Sequence, residues 1–244
     1  SPFATGSLVA LYKSSGALSK SSFNQLAMVR EIKKSQLEGF FEERQGDMGV
    51  MLETVKALEH AAEEKLVSIQ ELKRSQIEDY FSAMQSQLRV MKDAPFVAQA
   101  LNAFEDSYEM SGGQVLSPEY KRLARQYDPK MKAIMEEYGW YDVFLIHRDG
   151  DIVYTAERES DLGMTLSNGA LKNSGLGDAY ARGLNADPDE IVTADFEPYA
   201  PSNGAYAAFM MTQLTGDNGE LLGFVAFQVP TDKANEIVQK RIGL

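Results

Sequence analysis

Tyr141-Asp142-Val143-Phe144-Leu145-Ile146-His147, then Arg148-Asp149-Gly150, then Asp151-Ile152-Val153-Tyr154-Thr155, is the stretch whose reading decides the fold. Two runs rich in β-branched and aromatic residues flank an Asp-Gly pair, and glycine supplies the positive φ that a tight turn between strands requires. The spacing predicts an antiparallel hairpin. Along its first strand Tyr141, Val143 and Leu145 point one way while Phe144 and Ile146 point the other, so both faces are apolar. One face is expected to pack on helices and the other to line a cavity.

Working outward toward the end of the chain, Leu162-Gly163-Met164-Thr165-Leu166 leads through Asn168-Gly169 to a helix expected over 177–184. Three more strands follow, over 191–196, 205–214 and 221–229. Gly216-Asp217-Asn218-Gly219 joins the last two as an antiparallel pair. Thr231 caps a final helix over 232–242, with Asp232 near its positive end. The chain stops in that helix, as a piece cut from a longer protein would.

Working outward toward the start, residues 19–93 carry one helical pattern twice. Leu26, Glu31, Lys33, Ser35, Gln36, Glu38, Phe41, Gln45, Val50 and Met51 recur forty positions later as Leu66, Glu71, Lys73, Ser75, Gln76, Glu78, Phe81, Gln85, Val90 and Met91. Duplication is the simplest account. Forty residues make about eleven helical turns, so a continuous helix returns both copies to nearly the same face. Met48, Met51, Val55, Leu58, Ala62, Leu66 and Ile69 keep three-to-four spacing across the junction, which favours one rod over a hairpin near 59–64. Gly39, Gly46 and Gly49 are the points where such a rod is weakest, each by up to about 1 kcal/mol relative to alanine. Its apolar stripe needs a cover, supplied by the globular part, a second subunit or both.

Ala94-Pro95 ends the rod, because proline disfavours helical geometry in the residue before it. A helix is expected over 96–110. Ser117-Pro118 and Asp128-Pro129 each read as a helix start, and Gly139 as the stop before the first strand. Three segments result: a membrane-proximal start over 1–18, the helical repeat over 19–93, and a mixed domain over 94–244.

Composition narrows the functions. The formal net charge is −12, from 24 basic and 36 acidic residues, which disfavours nucleic acid as a partner. There is no cysteine, so thiolate catalysis, disulfides and cysteine-based zinc sites are excluded. No run of about eighteen apolar residues is present to span a membrane. Residues 3–13 end in Tyr12-Lys13 and read equally as the tail of a membrane helix or as a frayed helix start. His60 and His147 lack metal-binding spacing, and no triad or phosphate-cradling glycine loop can be nominated. Neither a catalytic site, a metal nor a cofactor is expected.

The globular part resembles the Cache domains, extracytoplasmic PAS-like sensor modules of bacterial chemoreceptors and sensor kinases. The resemblance rests on 138–146, on Asp149-Gly150-Asp151-Ile152-Val153-Tyr154-Thr155, on Asp161-Leu162-Gly163, on 194–204 and on 219–228. Together these segments look like a subgroup found in methyl-accepting chemotaxis proteins, and 29–36 is similar to the helix leading into that subgroup's sensor domain. The resemblance implies an α+β fold, in which a long N-terminal helical rod precedes a PAS-like domain with a central five-stranded antiparallel sheet flanked by helices. It also implies a periplasmic location, a membrane tether in the full-length protein, a homodimer through the helical segment, and a small-molecule ligand such as an amino acid, amine or organic acid. The resemblance implies a chemoreceptor, with the sensor of a histidine kinase or cyclase, or a purely structural adaptor, as alternatives that this segment does not decide. Tyr206 departs from the proline common in relatives and alters the pocket rim.

Trp140, Tyr141, Phe144, Tyr154, Tyr199, Tyr206 and Phe209 crowd the segments around the expected pocket, where they either enclose a ligand or pack as core. Asp195, at a strand end, is the candidate partner for an ammonium or amide group, or else a solvated end. Arg148 lies in the hairpin turn and is set aside. Arg122, Arg125 and Lys132 are weaker candidates for an anion, and the turn over 200–204 is a candidate lid.

Overall fold

A computed structural model describes the backbone of residues 2–239 and the side chains of residues 20–232 and 234–239. The chain divides into two compact units, Ser1–Ser68 and Ile69–Leu244. Helix α1 runs over Pro2–Lys92 without a break, so the chain does not turn back near 59–64, and Gly39, Gly46 and Gly49 all lie within it. Among the described residues, nothing lies within 4 Å of where a Cβ would stand at these three glycines. The last residues of the expected final helix, 240–242, lie outside the described residues, as do the side chains of 3–13.

In the second unit, the end of α1 is followed by α2 (Pro95–Met110) and α3 (Pro118–Tyr138). Ser117 caps α3 by accepting from the Tyr120 amide at 3.1 Å, and Gly139 closes it at φ 70°. A new helix start at Asp128-Pro129 does not occur. Pro129 sits on the exposed side of one continuous helix, where only a single backbone bond is lost. Asp128 does not cap. Its carboxylate accepts from the Tyr154 hydroxyl at 3.0 Å and pairs with Arg158.

The hairpin forms as read, with β1 (Asp142–His147) antiparallel to β2 (Ile152–Thr155). Helix α4 (Gly175–Gly183) starts two residues earlier than expected because Ser174 Oγ accepts from the Gly177 amide at 3.2 Å. Strand β3 (Val192–Tyr199) runs past Phe196 to include Pro198, which is tolerated because β3 is an edge strand and carries a register shift between Ala194 and Glu197. A 3-10 turn (Ala200–Ser202) connects to β4 (Ala205–Thr215), then β5 (Leu221–Val229) and α5 (Thr231–Gln239). Thr231 is the first helical residue rather than the cap. The five strands form one antiparallel sheet in the order β2-β1-β5-β4-β3.

Strand alternation produces two separate cores. Val143, Leu145, Val225, Phe227 and Met210 face α2, α3 and the end of α1, meeting Met84, Leu88, Met91, Leu101 and Phe104. Phe144, Ile146, Phe209, Met211, Phe224 and Ala226 face α4 and the segment before it. Burial on both faces explains why the strands read as nearly unbroken apolar runs. Trp140 stacks on Phe227 with centroids 4.3 Å apart and planes 4° apart, and its indole N–H donates to Gln87 at 3.1 Å. Such a pair contributes about 0.5–1.5 kcal/mol beyond its buried area.

Candidate sensory site on the α4 face of the sheet

The α4 face holds a cleft of about 630 Å³, lined by Leu166, Ser167 and residues 172–175, by Asp178, Tyr180 and Ala181 of α4, and by Ala194, Asp195 and Glu197 of β3. Glycine at 177 lets α4 sit close under this segment, since a Cβ there would lie 2.3 Å from the Leu171 carbonyl oxygen. Tyr180 anchors the helix to the hairpin turn by donating to the Arg148 carbonyl at 2.8 Å. Arg182 pairs with Asp178 at 2.6 Å and donates to the Thr193 carbonyl at 2.8 Å, tying α4 to β3. Lys172 supplies a positive rim group while Asp195 and Glu197 supply negative ones. A cleft so lined suits a polar molecule of small size.

On the same face lies a polar cluster, buried at Asp142 and Asp161, half-buried at Glu159 and exposed at Tyr141. Asp142 is fully buried; its Oδ1 accepts from the amides of Val143, Ala156 and Glu157 at 2.7, 2.8 and 3.1 Å, and its Oδ2 from Thr155 Oγ1 at 2.8 Å. These bonds fix the path of the chain leaving β2. Glu159 accepts from the Tyr141 hydroxyl at 2.9 Å and from Ser202 at 2.6 Å. Asp161 accepts from the Tyr199 hydroxyl at 2.8 Å. Burial raises the Asp142 carboxyl to about 7, against the opposing bonds from Thr155, Glu157 and Val143, and burial also raises Asp161. The Glu159 bond, then burial, raises Tyr141 to about 12.

The eight residues named from the sequence do not come together. Phe144, Tyr199 and Phe209 are buried on the α4 face, with Phe209 edge-on to both other rings at 6.0 and 4.9 Å. Asp195 is exposed on the cleft wall. Trp140 and Tyr154 lie on the opposite face, the first on Phe227 and the second against Phe104 at 4.9 Å: Trp140 precedes β1, and Tyr154 pairs in register with Leu145, out of phase with Phe144. Tyr141 is 43% exposed, just before β1, and Tyr206 is 60% exposed beside a shallow hollow that Phe196, Thr231, Ala234 and Asn235 complete. Arg122 is exposed on α3 and forked onto Glu119 at 2.6–3.0 Å; Arg125 is also exposed there and Lys132 half-buried. That helix covers the other side of the sheet from the cleft.

Sequence reasoning passed over Asp142, Glu159, Asp161, Ser202 and Gln228 as site residues. Two of these carried a signal. Asp142 and Gln228 are polar residues inside otherwise apolar strands, and a strand buried on both faces has no solvated position for them.

No family model matches the chain, and no curated protein matches it. Solved structures match in fold. The sensor domain of the V. cholerae histidine kinase DctB gives a TM-score of 0.50 at 11% identity, covering 73% of this chain and 61% of that one. The ligand-binding domain of the Campylobacter jejuni chemoreceptor Tlp3 in complex with L-valine gives 0.49 at 16% identity, covering 72% and 62%. The E. coli DcuS sensor domain gives 0.45 at 13% identity, covering 67% and 97%. This chain spans less than two thirds of the DctB and Tlp3 chains. The likeness is one of fold: a long N-terminal helix and a five-stranded antiparallel sheet in the Cache, PAS-like arrangement expected from the sequence.

Proposed function

We propose that the chain is the extracytoplasmic ligand-sensing domain of a membrane-tethered chemotaxis receptor, with residues 1–18 nearest the membrane, 19–93 the helical lever and 94–244 the sensor. The observation that carries this reading is the inequality of the two sheet faces. One is sealed by apolar helix packing, and the other bears a cleft of about 630 Å³ with charged rim groups and, on the same face, a partly buried polar cluster. The ligand is a small polar molecule held on the α4 face, with Asp195 and Lys172 at the rim and Phe144, Tyr199 and Phe209 beneath. Trp140 and Tyr154 are core residues in this reading.

Transmission requires the ligand to favour one arrangement of the domain over another, since equal affinity for both shifts nothing. The α5 helix is the element placed to report. Lys73 of α1 donates to the Val238 carbonyl of α5 at 2.5 Å, and Lys92 fastens the end of α1 to Pro188 and Asp189 between α4 and β3 at 2.6 Å. Movement of α4 or β3 therefore reaches α1 through a charged contact. The first helical copy pairs with a second copy of the chain, because Met48, Met51, Leu52, Val55 and Leu58 stand exposed at helical spacing. Sedimentation of the whole chain as a concentration-independent monomer would remove this pairing.

The test of the sensing role is thermal-shift screening of the whole chain against amino acids, organic acids, amines and purines. A compound that binds only the folded state raises the midpoint. A rise of several degrees that Asp195→Ala or Lys172→Ala diminishes is the expected result, and no rise with any class would favour the adaptor reading.

A further inference from the structure

The chain contains one tetrapeptide twice: Ser167-Asn168-Gly169-Ala170 and Ser202-Asn203-Gly204-Ala205. A third asparagine precedes glycine at Asn218-Gly219. The Asn-Gly pair is chemically reactive, because the backbone nitrogen of the second residue can attack the asparagine side-chain carbonyl carbon and glycine has no Cβ to hinder the approach. All three pairs are exposed, with the glycine at φ 77°, 76° and 80° in turn. Sequence alone does not separate them.

The fold does. At two pairs the attacking nitrogen is already committed: the Gly204 amide donates to the Tyr199 carbonyl at 2.9 Å, and the Gly219 amide to the Gly216 carbonyl at 2.9 Å. Their asparagines are held too, the Asn203 amide donating to the Ala200 carbonyl at 3.1 Å and the Asn218 amide to Glu220 Oε2 at 3.2 Å. Attack requires the nitrogen to leave its bond and turn toward the side chain, so each of these turns must open first. Between Leu166 and Lys172 the backbone is freer. The Leu166 amide donates to the Gly150 carbonyl at 2.8 Å and the Lys172 amide to the Gly169 carbonyl at 3.4 Å. The amides of residues 167–170, all exposed, have no hydrogen-bond partner among the described residues, and the Gly169 nitrogen is one of them. Nothing lies within 4 Å of where a Cβ would stand on Gly169, so no neighbour blocks rotation there. The Asn168 side chain is held by one long bond, from Nδ2 to Ser167 Oγ at 3.4 Å.

We propose that Asn168 is a site of spontaneous modification in the folded protein, converting to aspartate and isoaspartate, while Asn203 and Asn218 are protected. The Gly169 nitrogen gives up its proton to solvent and bonds to Asn168 Cγ; the Cγ–Nδ2 bond breaks, ammonia leaves and a cyclic imide remains. Water then opens the imide at either carbonyl, which yields aspartate from one side and isoaspartate from the other. The balance is one water in and one ammonia out, with no change of oxidation state. The conversion bears on the cleft, because Ser167 lines it and Asn168 is the next residue. A neutral donor to the Ser167 hydroxyl becomes a carboxylate, next to a rim where Asp195 and Glu197 already outnumber Lys172. The inference stands on the backbone bonding of the three turns and is independent of the sensing role.

The test ages the whole chain at pH 7.5 and follows the three peptides by mass spectrometry, each conversion adding about one dalton, with isoaspartyl methyltransferase reporting the isoaspartate. A parallel sample is aged in urea. In the folded protein Asn168 should convert at least tenfold faster than Asn203 or Asn218. In urea Asn168 and Asn203, which share their neighbours, should convert within about twofold of each other. Asn168→Gln should remove most of the folded-state conversion and Asn203→Gln should leave it unchanged, with circular dichroism checking that both variants fold. Folded-state rates within tenfold of one another overturn the inference, as does a folded Asn168 more than tenfold slower than in urea. A tenfold preference for Asn168 over Asn203 that persists in urea overturns it too, since the turns would then not set the rates.

Discussion

The same five strands present two unlike faces. Toward α2, α3 and the end of α1 the sheet offers Val143, Leu145, Met210, Val225 and Phe227 to an apolar layer; the polar groups there are paired across it, His147 with Glu105 at 2.7 Å and Asp128 with Arg158, and the hydroxyls of Ser107 and Tyr120 are left unpartnered among the described residues. Toward α4 it offers apolar residues for most of its length, then Asp142 and Gln228 at one end, where the unpartnered atoms are a carboxyl and an amide oxygen. A sheet fixed firmly on one side can carry costly polar groups on the other.

The largest effect that sharpens this contrast is on the sealed side. Phe104 is fully buried and meets Tyr120, Tyr127 and Tyr154 at 5.0, 5.9 and 4.9 Å. Phe104→Ala should lower unfolding free energy by about 3–5 kcal/mol in urea titrations. Ligand affinity, measured where the variant is folded, should stay unchanged, and a selective loss of binding would break the division of labour between the faces.

A second test follows the sealed layer along α1. Met91 is 2% exposed and its counterpart in the first copy, Met51, is 68% exposed, although both occupy the same place in the repeat. Met91→Ala should cost about 2–5 kcal/mol. Met51→Ala should cost within about 0.5 kcal/mol at protein concentrations too low for self-association. A larger cost at Met51 that grows with concentration would show the first copy paired with another chain.

On the α4 face the expected signature is pH. The Asp142 carboxyl lies at about 7 in the fold against an ordinary 3.8, because burial disfavours its charged form. Between those values the folded chain keeps a proton that the unfolded chain has lost, so stability falls as pH rises from about 4 to about 7 and then levels. The slope is at most about 1.4 kcal/mol per pH unit, and the raised Asp161 carboxyl adds in the same sense. Urea unfolding should therefore give about 2–3 kcal/mol less stability at pH 8 than at pH 5, with Asp142→Asn flattening the curve. A curve that rises over this range would mean that the charged carboxylates are favoured in the fold.

The faces differ again in how legible they were in the sequence. The hairpin, the last two strands and the long helix were readable because Asp149-Gly150, apolar runs bounded by the glycine-rich turn at 216–219, and the absence of proline over 19–93 each act locally. Boundaries shifted for a tertiary reason at Asp128-Pro129, where Asp128 is drawn to Tyr154 and Arg158, and at Pro198 on the sheet edge, and for a local one at α4, where the Ser174 cap starts the helix earlier. Tyr154 and Phe144 were grouped as one site because both are aromatic and near in sequence, yet strand phase sends them to opposite cores. Asp161 and Gln228 are 67 residues apart, and only the pairing of β5 with β1, set by the whole sheet, brings Gln228 beside Asp142. The fate of the repeat was equally hidden. Nothing local to Met51 or Met91 states which will be covered.

The smallest effect compares two tyrosine hydroxyls, each given to an aspartate. Tyr154 donates to Asp128 on the sealed face, and Asp128 keeps Arg158 as a partner when that hydroxyl is removed. Tyr199 donates to Asp161, whose other oxygen already lacks a donor. Tyr199→Phe keeps the ring contact with Phe209 and leaves the Asp161 carboxyl with no side-chain donor, so its charged form becomes still less favourable. At pH 5, where the carboxyl is more nearly neutral, the loss should be about 1 kcal/mol; at pH 8 it should be larger, approaching about 2 kcal/mol. Tyr154→Phe should cost about 1 kcal/mol at both pH values because the ion pair persists. Equal, pH-independent losses in the two variants would show that Asp161 is hydrated like a surface carboxylate, and the polar end of the α4 face would then be an ordinary wet edge of the sheet.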